Sequence, residues 1–186
     1  VSLSGDGGDE VFGGYNRYQW TRVIWDRVRR VPRVFRNIAA FIMRSQTADR
    51  WDQLYTLLRP VVPNTFRIAQ FGSKVNTLAD FIVNKHSHEL YRSVVSHWKS
   101  PAKVVLNGVE PETVLTAIGG DDTLGLSLEQ RMMVLDSLSY LPDDILVKLD
   151  RAAMRESLET RVPLLDHRVI EFAWSLPHEM KIKDGT

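Results

Sequence analysis

At 186 residues, with 44% apolar and 25% charged side chains, the chain has ordinary globular composition; it can bury a real core and lacks the bias of a disordered or fibrous sequence. A formal net charge of +1 sets up no global field for nucleic acid or an anionic lipid surface, so neither is expected as a partner. The lack of cysteine removes disulfides, thiolate zinc centres and thiol nucleophiles and agrees with a cytoplasmic location, while no apolar run reaches membrane-span length and no signal peptide opens the chain. It begins Val1-Ser2-Leu3 without methionine and so reads as a piece of a longer protein.

Val1-Ser2-Leu3 alternates apolar and polar and then meets Ser4-Gly5-Asp6-Gly7-Gly8-Asp9-Glu10, the pattern of a strand end running through a turn into a helix. Only this stub is expected to be strand. Val23, Ile24, Val28 and Val31 recur at helical spacing, as do Val34, Phe35, Ile38, Phe41 and Ile42, with Pro32 breaking the two segments. Arg17 to Arg36 carries seven arginines against Asp26 and reads as a solvated helix face. Helices are predicted over Phe66–Val83 and Leu90–Trp98, around Leu126–Leu138, from an Asp143 cap toward Ser157, and from an Asp166 cap to Leu176. The tryptophans are expected to pack the core or hold a domain contact. The chain should be mainly α-helical.

Gly5, Gly7 and Gly8 permit close backbone approach, so the amides at this helix start can receive an anion. Asp6, Asp9 and Glu10 would repel a bare polyphosphate, and a magnesium ion, which binds through one or two carboxylates together with phosphate oxygens, resolves the conflict. The other reading is structural: Asp6 caps the turn, Asp9 and Glu10 favour the helix dipole, and Gly13-Gly14 allow close packing. Neither Walker A, G-x-G-x-x-G nor an EF-hand loop is satisfied.

A second dense stretch joins Asp136, Tyr140-Leu141-Pro142-Asp143-Asp144, Asp150-Arg151, Glu159, Arg161-Val162-Pro163 and Asp166. Charges interleaved with core-type residues imply that some are buried and paired, with Arg151 to Glu159 or Asp136, and Arg161 to Asp166, as candidates. His86, His88 and Glu89 lack a well-spaced third ligand and are read as solvent-facing. No G-x-S-x-G elbow is present.

Taken together and in this order, Ser4-Gly5-Asp6-Gly7-Gly8-Asp9-Glu10-Val11-Phe12-Gly13-Gly14-Tyr15 and the Tyr140–Asp166 stretch resemble two signatures of the glutamine-hydrolysing asparagine synthetase family. The resemblance implies a part of a Rossmann-like α/β synthetase domain whose parallel strands lie mostly before Val1. It divides the chain into the acidic glycine turn (1–20), a variable helical spacer (21–125) and the second signature region (126–186). The implied reaction joins the aspartate side-chain carboxylate to the α-phosphorus of ATP, releasing pyrophosphate, and ammonia from glutamine then displaces AMP. ATP and Mg2+ are the implied cofactors, with an amino-terminal glutaminase domain in the same chain and a homodimer as the expected partners.

Carried onto this sequence, Asp6 sits beside the reacting carboxylate and Asp9 approaches the metal. Ser4, Gly5, Gly7, Gly8 and Glu10 line the ATP and substrate edge, and Asp136 is a second acid facing substrate. Asp150, Arg151, Glu159 and Arg161 brace the site. The family's Ser-Gly-Gly-x-Asp-Ser pyrophosphate loop and its catalytic lysine segment are not found here, and Lys181 and Lys183 are not substitutes for the latter, so this chain alone is expected to be inactive. A β-lactam synthetase-like cyclase, whose branch favours tyrosine where Asp6 stands, and a noncatalytic helical module are the rival readings.

Overall fold

Alternation at the amino terminus yields strand β1 (Ser2–Leu3), and the helical periodicities that follow yield helices almost everywhere else. The computed structural model describes residues 1–58, 70–84, 87–96, 98, 104–109, 111–114, 116 and 125–182. These form two compact units, one of Val1–Val23 with Trp98–Thr186 and the other of Ile24–His97. Among the described residues no helix is long and apolar enough to cross a membrane.

In the first unit, α1 (Gly8–Phe12) follows the glycine turn and α2 (Asn16–Val28) begins after Gly13-Gly14. Helix α7 (Leu128–Leu138) opens with a capping box, in which Ser127 accepts from the Gln130 amide and Gln130 answers the Ser127 amide. It leads into a π-helical turn (Leu141–Leu146), α8 (Val147–Arg155), strand β2 (Thr160–Arg161), a 3-10 turn (Pro163–Leu165), α9 (His167–Ser175) and α10 (His178–Lys181). The core is built from Val11, Tyr18, Met132, Met133, Leu135, Leu141 and Ala173.

Two expectations are corrected here. Thr160–Arg161 is a second strand, paired parallel to β1 with Ser2 opposite Thr160 and Leu3 opposite Arg161. A two-residue strand flanked by charges has too little alternation to be seen in sequence. Asp143 is not a cap. The backbone stays helical through Tyr140, and the Asp143 amide already donates to the Ser139 carbonyl at 2.9 Å. Pro142 falls in the first turn of the π-helical segment, where the N–H that it lacks is not required. The Asp166 cap is as read, its carboxylate accepting the Arg168 amide at 2.9 Å.

In the second unit, α3 (Arg33–Arg44) and α4 (Ala48–Leu58) both pack on α5 (Phe71–Ile82), and α6 (Ser87–Val95) follows. Pro32 separates α2 from α3 as expected. Trp98 lies beyond α6 and, like Trp20, is exposed, so neither is a core residue; Trp51 is half-buried and donates its indole N–H to the Met43 carbonyl at 2.8 Å. Arg36 is also buried, donating to the Ile82 and Asn84 carbonyls, so the basic stretch is not one continuous solvated face.

The α4–α5 approach is close. A Cβ on Gly72 would stand 1.9 Å from the Ala48 carbonyl oxygen, and the Gly72 amide donates to Asp52 at 2.9 Å. Because the obstacle is backbone, relief requires moving a whole helix. Gly72→Ala is therefore expected to destabilise this unit by about 2 kcal/mol, read as a lower urea midpoint; an unchanged midpoint would rule out this helix contact.

Candidate active site

The acidic glycine turn is fixed from both ends. Upstream, the Ser2 amide donates to the Glu159 carbonyl at 2.8 Å and the Ser4 amide to the Arg161 carbonyl at 2.9 Å, binding the entering strand to the second signature region. Downstream, Gly7 adopts φ 84°, and a Cβ there would stand 2.3 Å from Leu165 Cδ2. Both the backbone conformation and the neighbour exclude a side chain. Gly8 packs similarly against Leu164. Gly5 differs: its φ is not left-handed and an added Cβ would meet nothing within 4 Å.

Within the turn, the Ser4 hydroxyl donates to the Asp6 carboxylate, which is partly exposed. Asp9 is exposed, and its carboxylate lies against Gly14, where a Cβ would meet Oδ1 at 2.0 Å. Glu10 turns inward. It is buried, accepts the Tyr15 hydroxyl at 2.7 Å through Oε1, and leaves Oε2 without a hydrogen bond among the described residues. Adjacent acids thus have opposite environments, because residues one apart on a helix face about 100° apart.

Asp136 lies behind this turn with 0% exposure. It accepts the Tyr18 hydroxyl at 2.5 Å and pairs with the Arg17 guanidinium at 2.7 Å. Arg17 in turn stands over the rings of Tyr15 and Tyr140, 4.2 and 4.8 Å from their centroids. One turn along α2, Arg22 pairs with buried Glu129 at 2.7 Å. Burial first, then the charge and hydrogen bond of Asp136, push the Tyr18 phenol well above its ordinary range; burial and Glu10 do the same for Tyr15.

Sequence reading missed Arg17, Tyr15 and Tyr18 as members of this cluster. The available signal was the Tyr15–Tyr18 spacing of three and the Asp136–Tyr140 spacing of four, each placing two polar-tipped residues on one helix face. Asp136, read from sequence as a second acid facing substrate, is buried among the residues of this unit.

The second stretch also pairs differently from expectation. Arg161 bonds Glu159 at 2.8 Å, and Asp166 takes Arg168 through both carboxylate oxygens, which holds Asp166 well below the usual carboxylate range. Short-range partners two residues away outcompete the longer pairings proposed from sequence. Asp150 and Arg151 are exposed and make no bracing contact among the described residues. His86, the side chain of His88 and Lys183 lie outside the described residues. Lys181 sits 4.7 Å from the Trp174 ring centroid, and burial lowers its amine's proton affinity.

Among the described residues no group of three or more His, Cys, Asp or Glu could hold a metal ion unaided. What the turn offers is a pair of accessible carboxylates, Asp6 and Asp9, beside an open glycine backbone. Such a donor set fits a magnesium ion that draws its remaining ligands from phosphate and water.

The family model for asparagine synthase matches residues 1–186. Over its full length the chain is 26% identical to asparagine synthetase [glutamine-hydrolyzing] 1 of Bacillus subtilis (strain 168), covering 26% of that protein. It is 30% identical to a putative asparagine synthetase [glutamine-hydrolyzing] of Mycobacterium bovis, covering 25% of it. A third relative, asparagine synthetase [glutamine-hydrolyzing] 3 of B. subtilis, is 33% identical over 45% of this chain and 14% of its own. The chain thus spans about a quarter of the length of the curated relatives that it matches end to end. No solved structure gives a significant match.

Truncating Asp136 would remove the buried carboxylate that the Tyr18 hydroxyl and Arg17 share, so Asp136→Ala is expected to cost about 3–5 kcal/mol of stability. The phenol adds a pH signature. With its proton affinity raised above the ordinary 10.0, Tyr18 contributes stability that is complete below pH 10 and is lost as the pH climbs above it, because the unfolded chain then releases a proton that the folded one retains. Melting curves from pH 8 to 11 should show a steeper alkaline decline for the parent chain than for Tyr18→Phe; parallel declines would deny that burial and Asp136 together hold the Tyr18 proton.

Proposed function

The chain belongs to the asparagine synthase family, and from that premise we propose that it forms one wall of the synthetase centre of an ATP-dependent, amide-forming enzyme. In this reading an aspartate side-chain carboxylate attacks the α-phosphorus of ATP, forming a new C–O–P linkage and expelling pyrophosphate. Ammonia supplied by a glutaminase domain then adds to the activated carbonyl, and AMP leaves to give asparagine. The setting is cytoplasmic, and the helices extend a Rossmann-like domain, a reading with which the parallel pairing of β1 and β2 agrees.

The observation that carries the reading is the contrast among the glycines of one turn. Gly7 is required by its left-handed backbone and by Leu165, and Gly8 faces the tip of Leu164, whereas neither conformation nor neighbours require Gly5. A glycine whose absent side chain leaves open surface suits a backbone that a ligand must approach closely. Beside it stand partly exposed Asp6 and exposed Asp9.

Each acid has its own role. Asp6, oriented by the Ser4 hydroxyl, faces the reacting carboxylate or its activated form. Asp9, with room made for it by Gly14, would hold magnesium, which when bound neutralises the charge of the triphosphate and the departing pyrophosphate. Glu10 and Asp136 are positioning residues: Glu10 fixes Tyr15, while Asp136 fixes Tyr18 and Arg17. An anion attacking an anion needs alignment and charge neutralisation more than a protein nucleophile, which suits a wall of acids and backbone.

In the full-length enzyme, Asp6→Asn and Asp9→Asn are each expected to lower aspartate-dependent pyrophosphate release by about 100-fold or more without shifting the melting temperature, with excess Mg2+ partly rescuing only Asp9→Asn. Gly5→Ala should raise KM for ATP while leaving stability within about 0.5 kcal/mol. Unchanged adenylation in both Asp variants would remove the turn from the site.

A further inference from the structure

Residues 104–109 lie in solvent, with Leu106 95% and Val109 89% exposed. Among the described residues their path is fixed by one backbone hydrogen bond, from the Gly108 amide to the Val105 carbonyl at 3.0 Å. It closes a β-turn centred on Leu106 and Asn107 in which Asn107, and not Leu106, takes a positive φ, 57°, the pattern of type II. Asn is among the few residues with a side chain that tolerate this left-handed position. Gly108 is required for another reason: a Cβ there would stand 2.9 Å from the Val105 Cβ and 3.0 Å from its carbonyl oxygen.

The pair that suits this turn is also the pair that cyclises most readily. A backbone amide nitrogen can attack the side-chain carbonyl carbon of a preceding asparagine, and glycine attacks fastest because no Cβ obstructs the five-membered ring. Asn107 is exposed, and among the described residues its carboxamide takes part in no hydrogen bond that would hold it away from the Gly108 nitrogen. The other described asparagines lack this combination. Asn16, Asn37 and Asn76 lie in α2, α3 and α5 and are followed by Arg17, Ile38 and Thr77. Asn84 donates to the Ser93 hydroxyl at 3.2 Å and precedes Lys85.

We propose that Asn107 is a site of spontaneous deamidation, a modification that does not depend on the role read for the glycine turn. The Gly108 nitrogen bonds to the Asn107 Cγ, the bond from Cγ to the side-chain nitrogen breaks, and ammonia leaves with the proton lost by the Gly108 amide. Water then opens the succinimide, at one carbonyl to give aspartate and at the other to give isoaspartate, whose main chain runs through the former side chain. Ring closure requires a rotation at Asn107 that the turn's hydrogen bond opposes, so turn opening sets the rate, and a single hydrogen bond in an exposed segment opens at little cost. The carboxylate gained takes the formal net charge from +1 to zero. The methylene that isoaspartate adds to the backbone lengthens the turn, so that the Gly108 amide no longer meets the Val105 carbonyl.

Ageing the chain in heavy-oxygen water at neutral and mildly alkaline pH, then mapping its tryptic peptides by mass spectrometry, tests this. The peptide that begins at Val104 contains no other asparagine. A steady amide-to-acid conversion at Asn107 is expected, faster in alkali, with heavy oxygen in the product and isoaspartate detected by enzymatic methyl transfer. Asn107→Gln should lose the conversion and, on isoelectric focusing, the acidic band that accompanies it. A synthetic peptide of residues 104–109 should convert faster than the folded chain, because it has no turn to open. An Asn107 that stays intact in the folded chain while the peptide converts, aspartate formed without isoaspartate, or equal conversion at Asn16, Asn37 and Asn76 would each overturn the proposal.

Discussion

A carboxylate with no access to water must have its charge answered where it lies, and Asp136 sets that condition for the first unit. Its partners come from a helix more than a hundred residues earlier, Tyr18 by hydrogen bond and Arg17 by ion pair. Since an unanswered charge in the interior costs several kcal/mol, α2 can sit on α7 in few other registers. The same register brings Arg22 to Glu129 and lays Tyr15 across Arg17. Tyr15 then holds Glu10, the last acid of the glycine turn. A chain of polar contacts, each shielded by aromatic rings, thus runs from the middle of α7 to the turn.

The turn receives its other constraints from the opposite direction. Strand pairing at Ser2 and Ser4 fixes where it begins, and Leu164 and Leu165 close over Gly7 and Gly8. Between these supports the three acids are sorted by backbone geometry: Glu10 into the interior, Asp6 and Asp9 toward accessible surface. Acids facing outward on a rigid base can meet a metal-bound anion with little reorganisation when it arrives.

Much of this was legible in the residues. The glycine turn, the break at Pro32 and the Asp166 cap rest on local rules, where a single residue's backbone preference decides the outcome. The partner of Asp136 rests on nonlocal packing, and no local rule distinguishes Arg17 from the six arginines that follow it in the basic stretch. Arg36 is the same lesson in the second unit: its burial depends on carbonyls at Ile82 and Asn84 that sequence proximity does not reveal. Thr160–Arg161 becomes strand only because β1 is beside it. Charged pairs were misassigned wherever a nearer partner existed, as with Arg168 for Asp166.

The pairing of β1 with β2 also has a consequence for how the protein is made. The Ser2 and Thr160 hydroxyls that meet at 3.0 Å are separated by 158 positions, so the glycine turn leaves the ribosome long before the strand that shapes it. At ordinary synthesis rates that interval is roughly ten to thirty seconds. During it β1 lacks its β2 partner, while the Ile24–His97 unit can already close on its own short-range helical contacts. Loop-closure entropy grows only with the logarithm of length, so lengthening or shortening that intervening unit changes the waiting time far more than the stability of the finished turn.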